Sequence, residues 1–317
     1  MPFRRTADCV SNSFLQMVGS LEIRRRDFLR AVPAALGCLS LPSRSFAQDK
    51  ADRFVSLDLL ITELLLTIGA VPVATSNIPL YQRLVANPSM PDSVSDLGPL
   101  NEPNLEYLQR LSPSRIFVAD WQAAGLETAT RIAPVTPIPV FAGKTPAIAH
   151  CETLIAKLAD MTGHAFAARS AVASMRSEID ETRARLKSFS RPVYVCRFNR
   201  DGRNLALFGG NGLLGDMLKQ LGLRNAFSGR VNAAGVTNAP LIRLADEPDA
   251  VIIHFDRGQE TDIALQRLEA GALWHVLPAV KKGRVIRMPV IYPNGGIRSA
   301  ERFANQLGQK LGTITDG

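Results

Sequence analysis

The chain has 317 residues, of which 46% are hydrophobic and 21% charged, a balance typical of a globular protein and not of a disordered or fibrous one. Lysine and arginine outnumber aspartate and glutamate by 37 to 29, but residues 1–47 alone hold seven of the basic and three of the acidic side chains. Half of the net charge of +8 therefore lies in that segment. The remaining residues contain no basic patch interleaved with aromatic side chains, which argues against nucleic-acid binding.

The first 47 residues predict an export signal. An Arg-Arg-Arg-Asp-Phe-Leu run at 24–29 resembles the twin-arginine signal, and an apolar stretch over 31–41 follows it. That stretch is too short for the roughly 20 residues that a membrane-spanning helix needs. Small residues just before Gln48 predict cleavage there, so we expect 1–47 to be a twin-arginine signal peptide and the protein to lie in the periplasm.

Two features of the signal and two later cysteines leave alternatives open. Met17 is an alternative start, and the residues before Cys38 faintly resemble a lipoprotein cleavage box, with Cys38 as the lipidated residue. After the signal, Cys151 and Cys196 lie far apart and lack the spacing of metal ligands. We predict two separate buried thiols, with a disulfide as the alternative in an exported protein.

The sequence from 48 to 164 predicts a first lobe in which strands and helices alternate. Strands are predicted at 53–57, 71–74, 115–119 and 138–141, and helices at 59–68, 104–111, 125–132 and 147–161. Strands that alternate with short helices are typical of parallel sheets covered on both faces. This part of the chain is therefore expected to be an α/β lobe.

The longest helical pattern covers 165–189 without glycine or proline, and Pro192 ends it. Its apolar residues recur at helical spacing along one face. They are Val172, Met175, Ile179 and Leu186. A helix of that length would extend about 37 Å at 1.5 Å per residue, enough to connect two lobes.

The alternation then resumes and predicts a second α/β lobe over 190–317. Strands are predicted at 193–197, 205–208, 250–255 and 284–288, and helices at 212–221, 262–269 and 297–311. Two lobes joined by one helix enclose a cleft, which is a usual place for a ligand. Because no flexible linker separates the lobes, we expect them to move little.

No combination of residues predicts an enzyme. Residues 210–215 match G-x-G-x-x-G between a strand and a helix, but the acidic residue that a dinucleotide site needs about 20 positions later is missing. A glycine-rich loop that lines the cleft is the favoured interpretation. The four histidines lack metal-ligand spacing, and no nucleophile motif occurs. We therefore expect no catalysis, no cofactor and no metal held by protein side chains.

Collinear segments in both halves resemble the periplasmic iron-siderophore-binding proteins of ABC importers, most nearly those that bind ferric hydroxamates such as ferrichrome. The segments lie at 53–57, 63–72, 91–98, 102–106, 131–134, 207–209, 214–221, 242–245, 273–280 and 283–285. The resemblance covers about residues 53–311. It implies a bilobal α/β fold of the class III periplasmic-binding-protein type, with two α/β lobes joined by one long backbone helix.

The resemblance also implies a function and partners. A monomer of this family captures a ferric siderophore in its cleft and delivers it to an ABC permease and ATPase at the inner membrane. In such proteins an acidic residue on each lobe pairs with arginines of the permease, and Glu106 stands at the first-lobe position. The second-lobe position holds Leu241, a departure for which Asp246 or Glu247 would have to substitute.

The ligand-binding residues of the family are largely replaced in this chain. The arginine that binds hydroxamate oxygens corresponds to Leu100, and a tyrosine of the cleft corresponds to Gln122. Two tryptophans correspond to Leu59 and Ala234. One tyrosine of the family is retained, as Tyr81.

A ferric hydroxamate needs aromatic walls and charge-assisted donors to its metal-bound oxygens. The expected ligand-binding set is Tyr81, Trp121, Gln122, Arg197, Asn199 and Tyr292. Arg197 would replace the lost arginine from the second lobe, or would serve an anionic chelate such as ferric citrate or a catecholate. The alternative for Arg197 is a surface ion pair with Asp201. Haem and cobalamin remain alternative ligands of the same fold.

Overall fold

The computed structural model describes residues 53–313, which belong to one compact unit. The predicted twin-arginine signal, its cleavage site, the alternative start at Met17 and the question of Cys38 lie outside the described residues. Within the described part of the chain, no helix is both long enough and apolar enough to cross a membrane.

The first lobe is built on a five-stranded sheet in which all strands run parallel, as predicted. Its strands are β1 (Phe54–Ser56), β2 (Ala74–Thr75), β3 (Ser95–Asp96), β4 (Arg115–Ala119) and β5 (Val135–Ile138), in the order β3-β2-β1-β4-β5. Strand β1 pairs with β2 at Val55–Ala74 and with β4 at Phe54–Arg115. The carboxyl ends of the strands therefore meet at one edge, where ligands bind in open α/β sheets.

Helices and 3₁₀ turns connect these strands. The helices are α1 (Leu59–Thr67), α2 (Ile78–Leu84), α3 (Leu105–Leu111) and α4 (Ala147–Thr162). A 3₁₀ stretch, Asp120–Arg131, follows β4 where an α-helix over 125–132 was predicted. Helix α2 was not predicted from the sequence because it contains Pro79, which usually interrupts a helix. Here Pro79 lies in the first turn, where a backbone N–H has no intrahelical partner and proline is therefore tolerated.

The second lobe contains a mixed sheet, which differs from the parallel sheet expected. Its strands are β6 (Val193–Phe198), β7 (Asn204–Phe208), β8 (Val236–Pro240), β9 (Val251–Asp256) and β10 (Val285–Pro289), in the order β10-β9-β6-β7-β8. Strand β7 runs antiparallel to both β6 and β8. The cause is the short β6–β7 turn, where Gly202 has φ +65° and the Asp201 carboxylate accepts two backbone N–H groups.

Helices cover the second sheet and connect the lobes. They are α5 (Ala165–Arg185), α6 (Leu213–Gln220), α7 (Gln259–Glu269), α8 (Ala272–Val276), α9 (Pro278–Lys281) and α10 (Ile297–Leu311). Helix α5 is the predicted long connecting helix, but it ends four residues early because the chain tightens into short-range turns at Leu186–Phe189. Its 21 residues extend about 31 Å at 1.5 Å per residue.

One hydrophobic core runs through both lobes. It contains side chains of α1 and α4 from the first lobe, of β9 and α6 from the second, and of the two helices α5 and α10. Each sheet also has a separate apolar cluster on its outer face. The architecture of two α/β lobes joined by a backbone helix is thus confirmed, while the boundaries 48–164, 165–189 and 190–317 stay a prediction.

Candidate functional site

A cavity of about 350 Å³ lies where the two lobes meet. Leu84, at the end of α2, lines it from the first lobe. Its other walls come from β6, β7, β8, the carboxyl end of β9 and the segment between β10 and α10. Two further hollows, about 680 Å³ on the second lobe alone and about 420 Å³ between α4 and α5, are not lined by both lobes. The cavity between the lobes is therefore the candidate ligand site.

Arg197 reaches the cavity from the end of β6. Side chains of a strand alternate between its faces, so Arg197 shares a face with Val193 and Val195 and lies just beyond the core they enter. Its Nη2 donates to Asn199 Oδ1 at 3.2 Å. The alternative pairing with Asp201 is not what forms, because that carboxylate accepts the N–H groups of its own turn. Asn199 supports Arg197 and is not itself part of the cavity wall.

Arg257 lines the same cavity and was missed by the sequence analysis. It follows β9 directly, so it stands at the same edge of the sheet as Arg197. Its side chain is 15% exposed, and its Nη1 lies 3.1 Å from Glu260 Oε2. Burial lowers the pKa of the guanidinium, and the charges of Arg197 and Arg83 lower it further, against the opposing effect of Glu260. The position of Arg257 after a predicted strand was the signal that could have identified it.

Glu260 also joins the two lobes at the mouth of the site. Its Oε1 lies 3.5 Å from Nη1 of Arg83, which projects from α2 in the first lobe. Both partners of that pair are substantially exposed, so the pair contributes little stability. Its effect is to hold Arg83 beside the other two arginines.

Tyr292 is the predicted aromatic residue that lines the cavity. It is half-buried and packs against an apolar cluster of the first lobe that includes Leu59 and Leu100. Burial raises the pKa of its phenol, and the nearby charge of Asp58 raises it further. Tyr292 therefore stays protonated and can donate a hydrogen bond to a ligand oxygen.

The segment that carries Tyr292 is fixed by Glu63 of α1. The Glu63 carboxylate is fully buried and accepts the N–H groups of Gly296 and Ser299 at 2.9 and 2.7 Å, together with the Ser299 hydroxyl at 2.8 Å. These donors belong to the start of α10, where unpaired N–H groups and the helix dipole favour a negative charge. Burial raises the pKa of Glu63, and the hydrogen bonds oppose that shift. Glu63 of the first lobe thus fixes the start of α10 and with it the preceding segment, which carries Tyr292.

Asp58 is a buried carboxyl whose charge acts on Tyr292. It caps α1, with its Oδ1 accepting the N–H groups of Leu60 and Ile61 at 2.8 and 3.2 Å. Burial raises its pKa to about 6, an effect to which the charge of Asp120 adds and which the two N–H groups oppose.

Tyr81 and Gln122, both expected to bind the ligand, are core residues in the structure. The Tyr81 ring is fully buried, and its hydroxyl donates to the Pro88 carbonyl oxygen at 2.8 Å. Gln122 donates to the carbonyl oxygens of Leu57 and Leu100 and accepts the N–H of Ala119. The polar atoms of both side chains form hydrogen bonds with the protein's own backbone, and neither residue lines the cavity.

Trp121 and Glu106 are exposed on the first lobe. Trp121 follows β4 with 48% of its surface exposed, but it does not line the cavity. Glu106 lies in the first turn of α3 and has no ion-pair partner among residues 53–313. On the second lobe, Leu241 is buried, whereas Asp246 and Glu247 are partly exposed and paired with Arg243 and Arg224.

The glycine motif at 210–215 serves close packing of the backbone. A Cβ at Gly212 would lie 2.5 Å from the Cα of Gly235, and a Cβ at Gly215 would overlap the backbone of Gly209 and Gly210. The loop is filled by its own chain, and none of residues 210–215 lines the candidate cavity, where the sequence had predicted that they would lie. Within residues 53–313, His, Cys, Asp and Glu side chains form no group of three that could hold a metal ion. Both described cysteines, Cys151 and Cys196, are buried free thiols.

Comparisons with known proteins agree on one family. The family described as periplasmic binding protein matches residues 54–292. The chain is 31% identical over 297 residues to the iron(3+)-hydroxamate-binding protein FhuD of Escherichia coli, covering 93% of this chain and 99% of that one. The structure of FhuD from Vibrio cholerae with bound Fe³⁺-Desferal matches with a TM-score of 0.76 and 27% identity, over 82% of this chain and 98% of that one. FeuA of Bacillus subtilis, solved with ferri-bacillibactin, shares the fold at a TM-score of 0.65 and 17% identity, over 82% and 92% of the two chains.

Proposed function

The chain belongs to the periplasmic binding protein family, and from this premise we propose that it captures a ferric siderophore and delivers it to an ABC permease in the inner membrane. The observation that carries the proposal is the near full-length identity with a protein named for binding iron(3+)-hydroxamate. The cavity between the lobes supports it with an aromatic phenol, Tyr292, and two guanidinium groups, those of Arg197 and Arg257. Iron is the cargo here and arrives already wrapped by the chelator.

The chemistry of the cavity wall suits recognition of an oxygen-rich chelate. Guanidinium groups donate charge-assisted hydrogen bonds to oxygens, and aromatic faces pack against an organic frame. Phe208 and Phe255 supply apolar wall beside the arginines. Such a site binds and releases without making or breaking a bond, so the protein acts as a carrier and not as an enzyme.

The route to the membrane completes the proposal. Residues 1–47 would direct twin-arginine export, and the protein would work in the periplasm as a monomer. Glu106 is proposed to pair with an arginine of the permease, because it is exposed and unpaired in the described part of the chain. On the second lobe, Asp246 or Glu247 would act, after release from Arg243 or Arg224.

Fluorescence titration tests ligand capture. The chain has two tryptophans, of which Trp274 is buried and Trp121 is exposed. Ferric chelates absorb in the near ultraviolet and should quench tryptophan emission when they bind. A panel of ferric hydroxamate, citrate and catecholate complexes should include at least one that quenches saturably. The Trp121→Phe variant shows which of the two tryptophans is quenched when the chelate binds. Flat titrations with every member of the panel would refute the proposal, and saturable binding of haem or cobalamin alone would replace it with another ligand of the same fold.

A further inference from the structure

The cavity wall holds more positive charge than its neighbours neutralise. Arg197 has no carboxylate within ion-pair distance among residues 53–313. Arg257 and Arg83 share the single carboxylate of Glu260. Three arginines against one glutamate leave an excess of two positive charges at this side of the cavity. The nearby Asp256 does not correct this, because it pairs with Arg287 at 2.6 Å.

Arg257 also carries an unused donor. Its Nε is buried and has no hydrogen-bond partner, although its Nη1 pairs with Glu260. A buried N–H without an acceptor is unfavourable, and in a guanidinium beside two others the cost is greater, because like charges repel. A negatively charged oxygen placed in the cavity would reduce the repulsion among the guanidinium groups.

We propose that the ligand is an anionic ferric chelate whose carboxylate oxygens are received by Arg197 and Arg257. This inference rests on the proposed function and narrows it to one class of siderophore. A planar guanidinium matches the two oxygens of a carboxylate in a parallel pair of hydrogen bonds. A neutral trishydroxamate would leave the two excess charges in place, whereas an anionic chelate built on citrate would compensate part of them. Since both arginines lie on the second lobe, the charged part of the ligand faces that lobe and its apolar part faces Leu84.

Isothermal titration calorimetry with chelates of different charge tests the inference on the purified protein. The probes are ferrichrome, which is neutral, ferric schizokinen, a citrate-based dihydroxamate, and ferric enterobactin, a catecholate. The variants are Arg197→Gln and Arg257→Gln, with Arg257→Lys to keep the charge while losing the planar fork. Arg169→Gln on α5 is the matched control, because that arginine is exposed and outside the cavity.

The expected result is selective. Ferric schizokinen should bind at least about 10-fold more tightly than ferrichrome at low salt, and each glutamine variant should weaken it by about 10- to 100-fold. Ferrichrome binding should weaken clearly less than ferric schizokinen binding in each glutamine variant, and Arg169→Gln should change neither affinity. Arg257→Lys should lie between wild type and Arg257→Gln. High salt should weaken only the anionic chelate.

The contrary outcomes distinguish a wrong ligand class from a wrong carrier function. Tighter binding of ferrichrome, or an equal loss of both chelates in the variants, would overturn the inference while leaving the carrier function intact. A preference for ferric enterobactin would overturn the carboxylate assignment. No binding of any chelate would refute the carrier function itself. If circular dichroism shows that Arg257→Gln does not fold, Arg197→Gln carries the same comparison.

Discussion

Replacing Glu63 by glutamine should destabilise the protein by about 1–3 kcal/mol, the cost of leaving a buried donor without an acceptor. Three donors converge on the carboxylate: the N–H groups of Gly296 and Ser299 and the hydroxyl of Ser299. Glutamine has the same shape but replaces one oxygen by an amide NH₂. The Ser299 hydroxyl can rotate to accept from it, yet at least one backbone N–H then faces another donor.

Glu63→Ala should cost more, about 3–5 kcal/mol, because it removes both oxygens and leaves all three donors unpaired. For a domain of this size, each kcal/mol corresponds to a fall in melting temperature of about 2–4 °C. We therefore expect a decrease of roughly 2–12 °C for the glutamine variant and a larger one for alanine. Urea unfolding followed by circular dichroism measures the free energy, and differential scanning calorimetry measures the temperature.

The control for this experiment is Glu106→Gln. It makes the same chemical change at an exposed glutamate without an ion-pair partner in the described part of the chain, so it should alter stability by less than about 0.5 kcal/mol. Adding Ser299→Ala to Glu63→Gln should cost less than the sum of the single changes, because the two side chains interact directly. If Glu63→Gln is as stable as the wild type, the hydrogen bonds from α10 to Glu63 do not stabilise the contact between α1 and α10.

Two further predictions concern Asp58 and the glycine loop. The pKa of Asp58 is raised to about 6 in the folded protein from an ordinary value of 3.8, so the folded form binds the proton more tightly and this group adds stability as the pH falls from 6 to 4. Urea unfolding across that range should show wild type gaining up to about 3 kcal/mol relative to Asp58→Asn, and parallel profiles would contradict the assignment. Gly215→Ala should cost about 1–3 kcal/mol because the new Cβ meets backbone atoms, whereas Gly125→Ala, with nothing within 4 Å of its Cβ, should be nearly neutral in the same assay. Equal stabilities of the two alanine variants would mean that the loop at 210–215 has room for a Cβ at Gly215.

Elements with a clear hydrophobic period could be predicted closely from the sequence. Strand β4 and helix α10 have the predicted bounds, and α4 differs by one residue. Strand β5 begins and ends three residues before its predicted bounds, and β2 begins three residues late and ends one residue late, because the valine and proline residues beside them have similar β propensity. Strand β8 was missed since its residues, Val-Thr-Asn-Ala-Pro, lack an apolar alternation and pair at the edge of the sheet.

The candidate site was harder to predict than the fold. Arg197, near the carboxyl end of β6, and Tyr292, after β10, line the cavity, and their role in binding stays a prediction. Tyr81 and Gln122 do not line it, since the burial of a polar side chain depends on neighbours distant in sequence, such as the Leu57 carbonyl that Gln122 contacts. Arg257 and Glu260 were overlooked because their significance arises only when Arg83 and Arg197 are seen beside them.

The core that runs through both lobes has a consequence for the timing of transport. Because α5 and α10 belong to one apolar cluster with both lobes, and Glu63 ties α1 to α10, the cleft exists before its occupant arrives. Loading then needs no closing step, and its rate should lie in the range of about 10⁵–10⁷ M⁻¹ s⁻¹ set by diffusion and orientation. If the lobes move as little as expected, the dwell time depends on contacts inside the cleft. In the proposed delivery at the membrane, unloading is then the slow event, and the permease would accelerate it by competing for those contacts.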